Sequence, residues 1–344
     1  MTTTCLINNY NYARFLGEAI DSALAQTVPF DEIIVVDDGS TDESVELLKA
    51  RYARQRSVQI VAKQNQGQLS CFNEGFARAT GELVFFLDAD DVYDPEYLAQ
   101  SLAAYERNRH YDFVICGHRT FGRCDTVRLK FAENRDLGYS VIAAVYLREW
   151  IGGPTSCLSM RRGVLEKILP VPFLADWRTR ADDCLVFGAS LAGARKYYLA
   201  KPLVRYRIHD HNQFAGRKAD RCEVYRRRLA VNVLFEHFQR QFGYDVPRLA
   251  EFHHREFRTI ERPTVRQFFR YLGISLSARL PMLRRLACAG DMAGHLLRTS
   301  LRPTSEGTTD MASDASAATE DILTMPPRGL LPSASHDVIG RRAA

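Results

Sequence analysis

The amino-acid sequence predicts an α/β protein, a doubly wound and mostly parallel sheet followed by a helical C-terminal extension. Short apolar runs alternate with amphipathic helical segments up to residue 116, as in a parallel sheet with right-handed crossovers. The run from Leu83 to Leu87 is apolar throughout, which is typical of a strand buried on both faces of such a sheet. Beyond residue 217 the apolar spacing becomes helical.

The elements of the first half follow one another in regular order. Ser40 and Glu43 match a capping box, which predicts that a helix begins at Thr41. Gly81 is expected to stop the helix that precedes the Leu83 strand. Strands are predicted at 3–7, 32–36, 58–62, 83–87 and 112–116, and helices at 15–24, 41–50, 69–79 and 96–109.

The second half is less regular. A hairpin is expected within 119–135, and two adjacent acids, Asp182 and Asp183, precede a helix that Gly193 ends. Later helices are predicted at 225–242, 247–260, 265–272 and 281–301, and strands at 195–199 and 202–207. Residues 303–344 lack periodicity and are predicted to be a disordered tail.

The composition bounds the class of protein. The 344 residues contain no apolar run long enough to span a membrane and no N-terminal cleavage site, so a cytoplasmic location is expected. Eight cysteines are scattered without a Cys-x-x-Cys pair, which predicts reduced packing residues rather than a zinc site or a disulfide framework.

Positive charge is concentrated near the C-terminus. Residues 251–302 hold ten arginines against four acids, within a net charge of +5 for the whole chain. Such a segment could face anionic phospholipid, for example as a peripheral protein on the inner membrane face, or an acidic partner; a solvated helical face is the simpler alternative. No recognisable nucleic-acid module is present, so nucleic acid is not an expected partner.

Carboxylates follow the buried Leu83 strand at the edge where α/β sheets bind ligands. If the chain stays extended there, Asp88 and Asp90 point the same way and could hold a divalent cation between them. The alternative is that these acids solubilise a loop and cap the next helix, but Asp94 already fits the capping position before Pro95.

Two further pairs of acids have both functional and structural interpretations. Asp37 and Asp38 end a buried strand, where a nucleotide could bind, although Asp-Gly is also ordinary turn chemistry. Asp182 and Asp183 could supply a general base, or only favourable charge at a helix N-terminus.

These motifs occur in a fixed order over about the first 215 residues. They are Asn9-Tyr10-Asn11-Tyr12, Glu32 to Asp42, Asn65-Gln66-Gly67 with Asn73 and Gly75, Ala79 to Glu82, Phe86 to Asp91, and Arg205 to His209. In this order they resemble the family-two inverting glycosyltransferases, whose Rossmann-like GT-A fold joins a nucleotide-binding α/β unit to an acceptor region. The resemblance implies a GT-A catalytic domain over 1–215 and a helical C-terminal extension over 216–302, ahead of the 303–344 tail.

The resemblance also implies roles for individual residues. Asp88 and Asp90 would bind ribose and a Mg²⁺ or Mn²⁺ ion on the diphosphate, with His209 as a further metal or phosphate ligand or as a structural residue. The base would be Asp183 or Asp182, with Asp183 favoured because the family's base is the second acid. The nucleotide would contact a further set of residues, namely Asn9, Asp37, Asp38, Lys63, Asn65, Gly67, Asn73 and Asp88.

Two departures from the family pattern stand out. Many members have an arginine before the asparagine of the third motif, where this chain has Phe72 before Asn73; Lys63 could supply the missing contact. The usual Glu-Asp of the base motif is Asp182-Asp183 here.

The expected reaction is metal-dependent, inverting transfer of a sugar from a nucleotide-diphosphate sugar to an acceptor hydroxyl, in cell-surface polysaccharide biosynthesis. The acceptor would be a glycan, a lipid-linked molecule or another hydroxyl compound. Two alternatives come from other classes. Asp88-Ala89-Asp90-Asp91-Val92 loosely resembles the signature of metal-dependent haloacid-dehalogenase-type phosphohydrolases, and the chain could be an inactive nucleotide-sugar-binding module.

Overall fold

A ten-stranded sheet organises the part of the chain that the structure, a computed structural model, describes: residues 1–210 and 220–301. The predicted tail at 303–344 lies outside these residues. The strands are β1 Thr3–Asn9, β2 Glu32–Asp37, β3 Val58–Ala62, β4 Leu83–Asp88, β5 Val92–Tyr93, β6 Phe113–Gly122, β7 Thr126–Arg128, β8 Arg135–Gly138, β9 Leu158–Arg161 and β10 Lys196–Ile208.

The first four large strands pair in parallel in the order β3–β2–β1–β4, which confirms the predicted doubly wound half. The other half is mixed. Strand β9 lies antiparallel between β4 and β6, β10 runs parallel to β6, and β5, β7 and β8 pair antiparallel. The hairpin expected within 119–135 is formed by β6 and β7.

Strand β4 is buried on both faces, as its unbroken apolar run predicts. Val84 and Phe86 lie in one hydrophobic core. Phe85 and Leu87 lie in the other. Because successive side chains of a strand point to opposite faces, both cores meet at this strand, and its carboxyl end is held rigidly.

Helices cover both faces and form the C-terminal extension. They are α1 Ala13–Leu24, α2 Ser44–Arg51, α3 Gln68–Arg78, α4 Tyr97–Arg107, α5 Val141–Leu147, α6 Arg162–Ile168, α7 Asp182–Leu191, α8 Arg221–Gln241, α9 Val246–Leu249, α10 His253–Phe257, α11 Val265–Ile274 and α12 Met282–Ser300. Short 3-10 turns occur at Thr155–Cys157 and Ala250–Phe252.

The extension packs against the sheet unit through α5. Ile142 and Ala143 of α5 belong to the same small apolar core as Phe257, Tyr271 and Met292 of the last helices. The buried carboxylate of Glu256 accepts hydrogen bonds from the backbone N–H groups of Ile142 (2.8 Å) and Ala143 (2.9 Å) at the start of α5. It therefore satisfies donors that a helix N-terminus leaves without partners.

Two predictions about helices are wrong. Helix α2 begins at Ser44 without a side-chain cap, because the Ser40 hydroxyl donates to Asp37 instead of closing a capping box with Glu43. The segment predicted as one helix over 247–260 is broken into α9, a 3-10 turn and α10.

All eight cysteines are free. None of the helices described within 1–210 and 220–301 is long and apolar enough to cross a bilayer.

Candidate active site

The carboxyl end of β4 does not stay extended, contrary to the premise behind the Asp88–Asp90 prediction. The strand ends at Asp88, and the chain turns so that the Asp91 N–H donates to the Asp88 carbonyl at 3.0 Å. The two carboxylates nevertheless remain neighbours. Burial raises the pKa of Asp88 to about 7, and the charge of Asp90 adds to the rise. The Asp88 and Asp90 carboxylates are therefore close enough for the charge of one to disfavour ionisation of the other.

His209 contacts Asp90 directly. Its Nε2 lies 3.0 Å from Asp90 Oδ2, and both side chains are largely buried, with exposures of 12% and 13%. The imidazole is held by the rings of Tyr12 and Phe15, whose centroids lie 5.7 and 4.9 Å from its own. Two of the three residues predicted to bind a metal are thus in contact.

The third acid of the motif, Asp91, is structural. Its buried carboxylate accepts from the Ser156 hydroxyl (2.6 Å) and from the Arg207 N–H (2.9 Å). The Arg207 guanidinium in turn donates to the Asp90 carbonyl at 2.8 Å. These bonds hold the turn after β4 against the end of β10, where His209 follows.

The donor set fits a divalent cation that a diphosphate also binds. No cluster of three or more His, Cys, Asp or Glu side chains arranged to hold a metal occurs within the described residues. Mg²⁺, however, is usually bound by one or two carboxylates together with substrate phosphates rather than by an all-protein cage. A bound cation would favour the ionised form of Asp88, whose pKa is raised by burial and by the charge of Asp90.

The acids after β2 organise loops. Asp37 is fully buried and accepts from the Ser40 N–H (2.9 Å), the Ser40 hydroxyl (2.7 Å) and the Asn9 amide (2.7 Å). Asn9 and Asp37, both predicted to contact the nucleotide, are therefore bonded to each other at the ends of the paired strands β1 and β2.

Asp38 gathers the loop before α3. It accepts from the N–H groups of Gln66 (2.9 Å) and Gly67 (2.7 Å), and it forms an ion pair with Lys63. The Lys63 ammonium also donates to Ser70 Oγ at 2.7 Å. The structure thus brings three predicted nucleotide contacts, Asp38, Lys63 and Gly67, into one network.

The same loop is joined to the segment that precedes α7. The Arg178 guanidinium donates to Asn65 Oδ1, and the Gln68 N–H donates to the Arg178 carbonyl at 2.8 Å. A Cβ on Gly67 would lie 2.3 Å from Arg178 Cα, and Gly67 has a φ of +92°. Only glycine lets the two loops approach this closely.

Gly67→Ala is therefore expected to lower the free energy of unfolding by about 1–3 kcal/mol, because alanine is strained at this φ and collides with backbone. Denaturant unfolding would measure the loss. Gly163→Ala is the matched control, since Gly163 lies in α6 with nothing near its Cβ position and should change little or gain stability. Equal behaviour of the two variants would contradict this account of the loop contact.

The side chains of Asn73 and Phe72 have partners outside the network around Asp38. The Asn73 amide donates to the Val171 carbonyl (2.9 Å) and accepts from the Val171 N–H (3.1 Å), so a nucleotide role for Asn73 stays a prediction. Phe72 is fully buried against Phe86, with ring centroids 5.2 Å apart. The position where the family pattern has arginine is thus part of the core in this chain. Lys63, which could supply the missing contact, forms an ion pair with Asp38.

The two candidate bases differ sharply in environment. Asp183 is 1% exposed, and both of its oxygens accept from Arg227 of α8, at 2.8 Å each. Asp182 is only partly buried, and burial together with the charge of Asp183 raises its pKa to about 7. The charge of Asp88 contributes to the same rise, so Asp182 faces the β4 carboxylates.

Gln68 connects the two sides of this site, and the sequence did not single it out as functional. Its amide donates to Asp88 Oδ1 (2.9 Å) and accepts from the Ala181 N–H (3.0 Å) at the start of α7. Tyr206 lies among the same acids. Burial is the main cause that raises the pKa of its hydroxyl, and a further rise comes from the charges of Asp91, Asp88, Asp90 and Asp182. The sequence offered a signal for both residues, because Gln68 follows the Asn65-Gln66-Gly67 motif and Tyr206 lies within the motif from Arg205 to His209. No local sequence pattern connects Arg227 with Asp183.

The comparisons with known proteins agree with this geometry. The family described as glycosyl transferase family 2 matches residues 4–169. An uncharacterized glycosyltransferase of Nostoc sp. is 38% identical over 222 residues, 62% of this chain and 66% of that protein. The putative glycosyltransferase EpsH of Bacillus subtilis is 26% identical over 220 residues, 59% of this chain and 60% of that protein. The matches thus span slightly less than two thirds of each relative.

Solved structures share the fold. TarS of S. aureus, residues 1–349 in complex with UDP-GlcNAc, has a TM-score of 0.51 at 17% identity. The likeness covers 87% of this chain and 90% of that one.

Proposed function

Because the chain belongs to glycosyl transferase family 2, we propose that it transfers a sugar from a nucleoside-diphosphate sugar to an acceptor hydroxyl, with inversion at the sugar carbon. The observation that supports this most is the meeting of two acidic groups at one strand end. Asp88 ends β4, Asp90 lies in the turn that follows, Asp182 begins α7, and Gln68 bonds to both sides. Because the chain belongs to this family, we discard the alternative that it is a phosphohydrolase.

The donor would lie across the ends of β1, β2 and β4. The Asn9–Asp37 pair and the Asp38 network form the crevice that would receive base and ribose. TarS, which shares the fold, was crystallised with UDP and with UDP-GlcNAc. UDP-GlcNAc is therefore the first donor to test.

Asp88, Asp90 and His209 would hold a Mg²⁺ or Mn²⁺ ion. A bound divalent cation supplies charge stabilisation to the diphosphate as it leaves. The protein's own part is positional: Arg207 and Ser156 hold the turn after β4, and Tyr12 and Phe15 orient the imidazole of His209.

Asp182 would be the general base, in place of the Asp183 that the sequence favoured. A base must reach the acceptor hydroxyl and take up its proton. Asp183 is buried and has both oxygens bonded to Arg227, whereas Asp182 is partly exposed and faces Asp88. Asp183 would then be a positioning residue that holds the start of α7.

We place the reaction in a reducing compartment and the acceptor among cell-surface glycans. The scattered spacing of the eight cysteines, without a Cys-x-x-Cys pair, supports the choice of compartment. Shorter stretches of the chain are similar to the chondroitin synthase and the hyaluronan synthase of Pasteurella multocida, each 33% identical over 110 residues.

UDP binding is expected to require a divalent cation. Calorimetric titration of UDP with Mn²⁺ should give measurable affinity that chelator removes, and Asp90→Asn should lose most of the metal-dependent part while melting like the wild type. Asp176→Asn, at an exposed aspartate near the site, serves as the control and should bind normally. Equal affinity with and without the cation would contradict the metal-bridge proposal.

Hydrolysis or transfer of UDP-GlcNAc in the presence of Mn²⁺ separates an enzyme from an inactive binding module. Binding without any turnover, tested over a panel of nucleotide sugars and hydroxyl acceptors, would favour the inactive module.

A further inference from the structure

Helix α12 has an apolar face on each side. Cys288 and Met292 are buried on the side that packs against α10 and α11. On the other side Leu283, Leu286 and Leu297 are exposed by 82%, 59% and 64%. Their spacing of three and eleven residues keeps these leucines on one stripe of a helix with 3.6 residues per turn.

The stripe continues past the individual leucines. Ala287 and Gly290 fall between them on the same face and are exposed, and Leu301, just after the helix, is 82% exposed. Leu276 in the loop that leads into α12 is 78% exposed, and Met282, the first residue of α12, is 76% exposed. Single exposed leucines are ordinary, but a continuous row of this length marks a binding surface.

The charges around this row have one sign. Arg284 and Arg298 of α12 and Arg279 of the preceding loop are exposed. Across 265–301 the sequence has six arginines and one acid, Asp291. Asp291 is paired at 3.3 Å with Arg258, which directly follows α10, so it does not offset the exposed arginines.

We propose that this surface, which we call the α12 face, docks on a bilayer containing anionic phospholipid. An interfacial helix places its apolar side in the acyl boundary, while arginines beside it meet lipid phosphates. Charge complementarity favours an anionic bilayer over a second copy of the chain, because two α12 faces in contact would place arginines of one copy against arginines of the other.

The α12 face is separate from the transfer site. The candidate active-site residues lie at the strand ends of the sheet unit, and α12 packs on α10 and α11. Docking would therefore hold the enzyme at a membrane without occupying the donor crevice, and it can be tested whether or not the proposed transfer reaction is correct.

Vesicle co-sedimentation of the full chain tests the proposal. The chain should bind vesicles of equal phosphatidylcholine and phosphatidylglycerol more tightly than vesicles of phosphatidylcholine alone. Leu283→Gln/Leu286→Gln/Leu297→Gln should lower the partition coefficient by roughly tenfold or more through lost apolar burial. Arg284→Gln/Arg298→Gln should lower it by roughly 25-fold on the anionic vesicles, at about 1 kcal/mol per arginine.

A matched control uses exposed apolar residues away from α12. Val28→Gln/Val127→Gln/Leu129→Gln changes side chains exposed by 39%, 47% and 39% and should leave vesicle binding unchanged. The circular dichroism spectrum and the melting temperature should be unaffected in every variant, which shows that the variants fold.

Four outcomes would overturn the proposal. The full chain could fail to bind anionic vesicles at low salt, or the leucine and control variants could lose binding equally. The chain could instead be a dimer in ultracentrifugation that the leucine substitutions make monomeric, which would assign the α12 face to a second copy. Binding that appears only after removal of residues 303–344 would assign it to the chain's own C-terminal segment.

Discussion

Replacing Asp182 by asparagine should reduce sugar transfer by about a hundredfold to ten-thousandfold, the usual effect of removing a general base. Donor binding and melting temperature should stay near those of the wild type, because Asp182 is partly exposed and its ionised form is disfavoured where it lies. Single-turnover transfer to the true acceptor, with UDP affinity measured in parallel, would separate a chemical defect from a binding defect.

The pH dependence gives an independent check on the same residue. Burial and Asp183 raise the pKa of Asp182 to about 7, so the ionised, proton-accepting form dominates above that pH and is lost below it. The wild-type transfer rate, measured at saturating Mn²⁺ and donor, should therefore fall as pH decreases through about 7. Protonation of Asp88 would lower the rate of both proteins, but the part of the decrease that Asp182 causes should be missing from the residual rate of Asp182→Asn. Near-normal transfer by Asp182→Asn together with an inactive Asp183→Asn would return the base assignment to Asp183.

Asp183→Asn is expected to cost about 3 kcal/mol of stability, because it leaves the Arg227 guanidinium, only 16% exposed, without its bidentate partner. Denaturant unfolding measures the loss. The double variant Asp183→Asn/Arg227→Met should recover part of it, since removing both charges also removes the uncompensated one. Transfer by the folded fraction should persist at a substantial level.

An exposed pair with the same geometry is the matched control. Arg119 Nε and Nη2 donate to the two oxygens of Asp125 at 2.5 and 2.8 Å, but both side chains are more than half exposed. Asp125→Asn should change stability little, because water screens and replaces such contacts. Similar losses of stability from Asp125→Asn and Asp183→Asn would show that burial does not determine how much the Asp183–Arg227 pair contributes to stability.

Much of the fold could be predicted because its signals are local. An unbroken apolar run identified β4, and alternating strand and helix patterns identified the parallel half. Both depend on periodicities that neighbouring residues impose. Strand β9 was not among the predicted strands, since its antiparallel insertion between β4 and β6 depends on pairing over long sequence separations.

The site could be predicted as a set of positions but not as a set of roles. The sequence placed Asp37, Asp38, Asp88 and Asp90 at strand ends, because carboxyl ends of parallel strands share one edge of a sheet. It could not show that Asp38 is bonded to the Gly67 loop, or that Asp90 contacts His209 across 119 positions of chain.

By itself, the sequence determined the α/β class, the acidic strand end after Leu87 and the basic character of the C-terminal helices. Only the tertiary structure distinguished Asp182 from Asp183, because the partner Arg227 lies 44 residues away on another helix. It also decided which leucines of α12 are exposed. Periodicity shows that a helix has two apolar sides, but which side is buried depends on what packs against it.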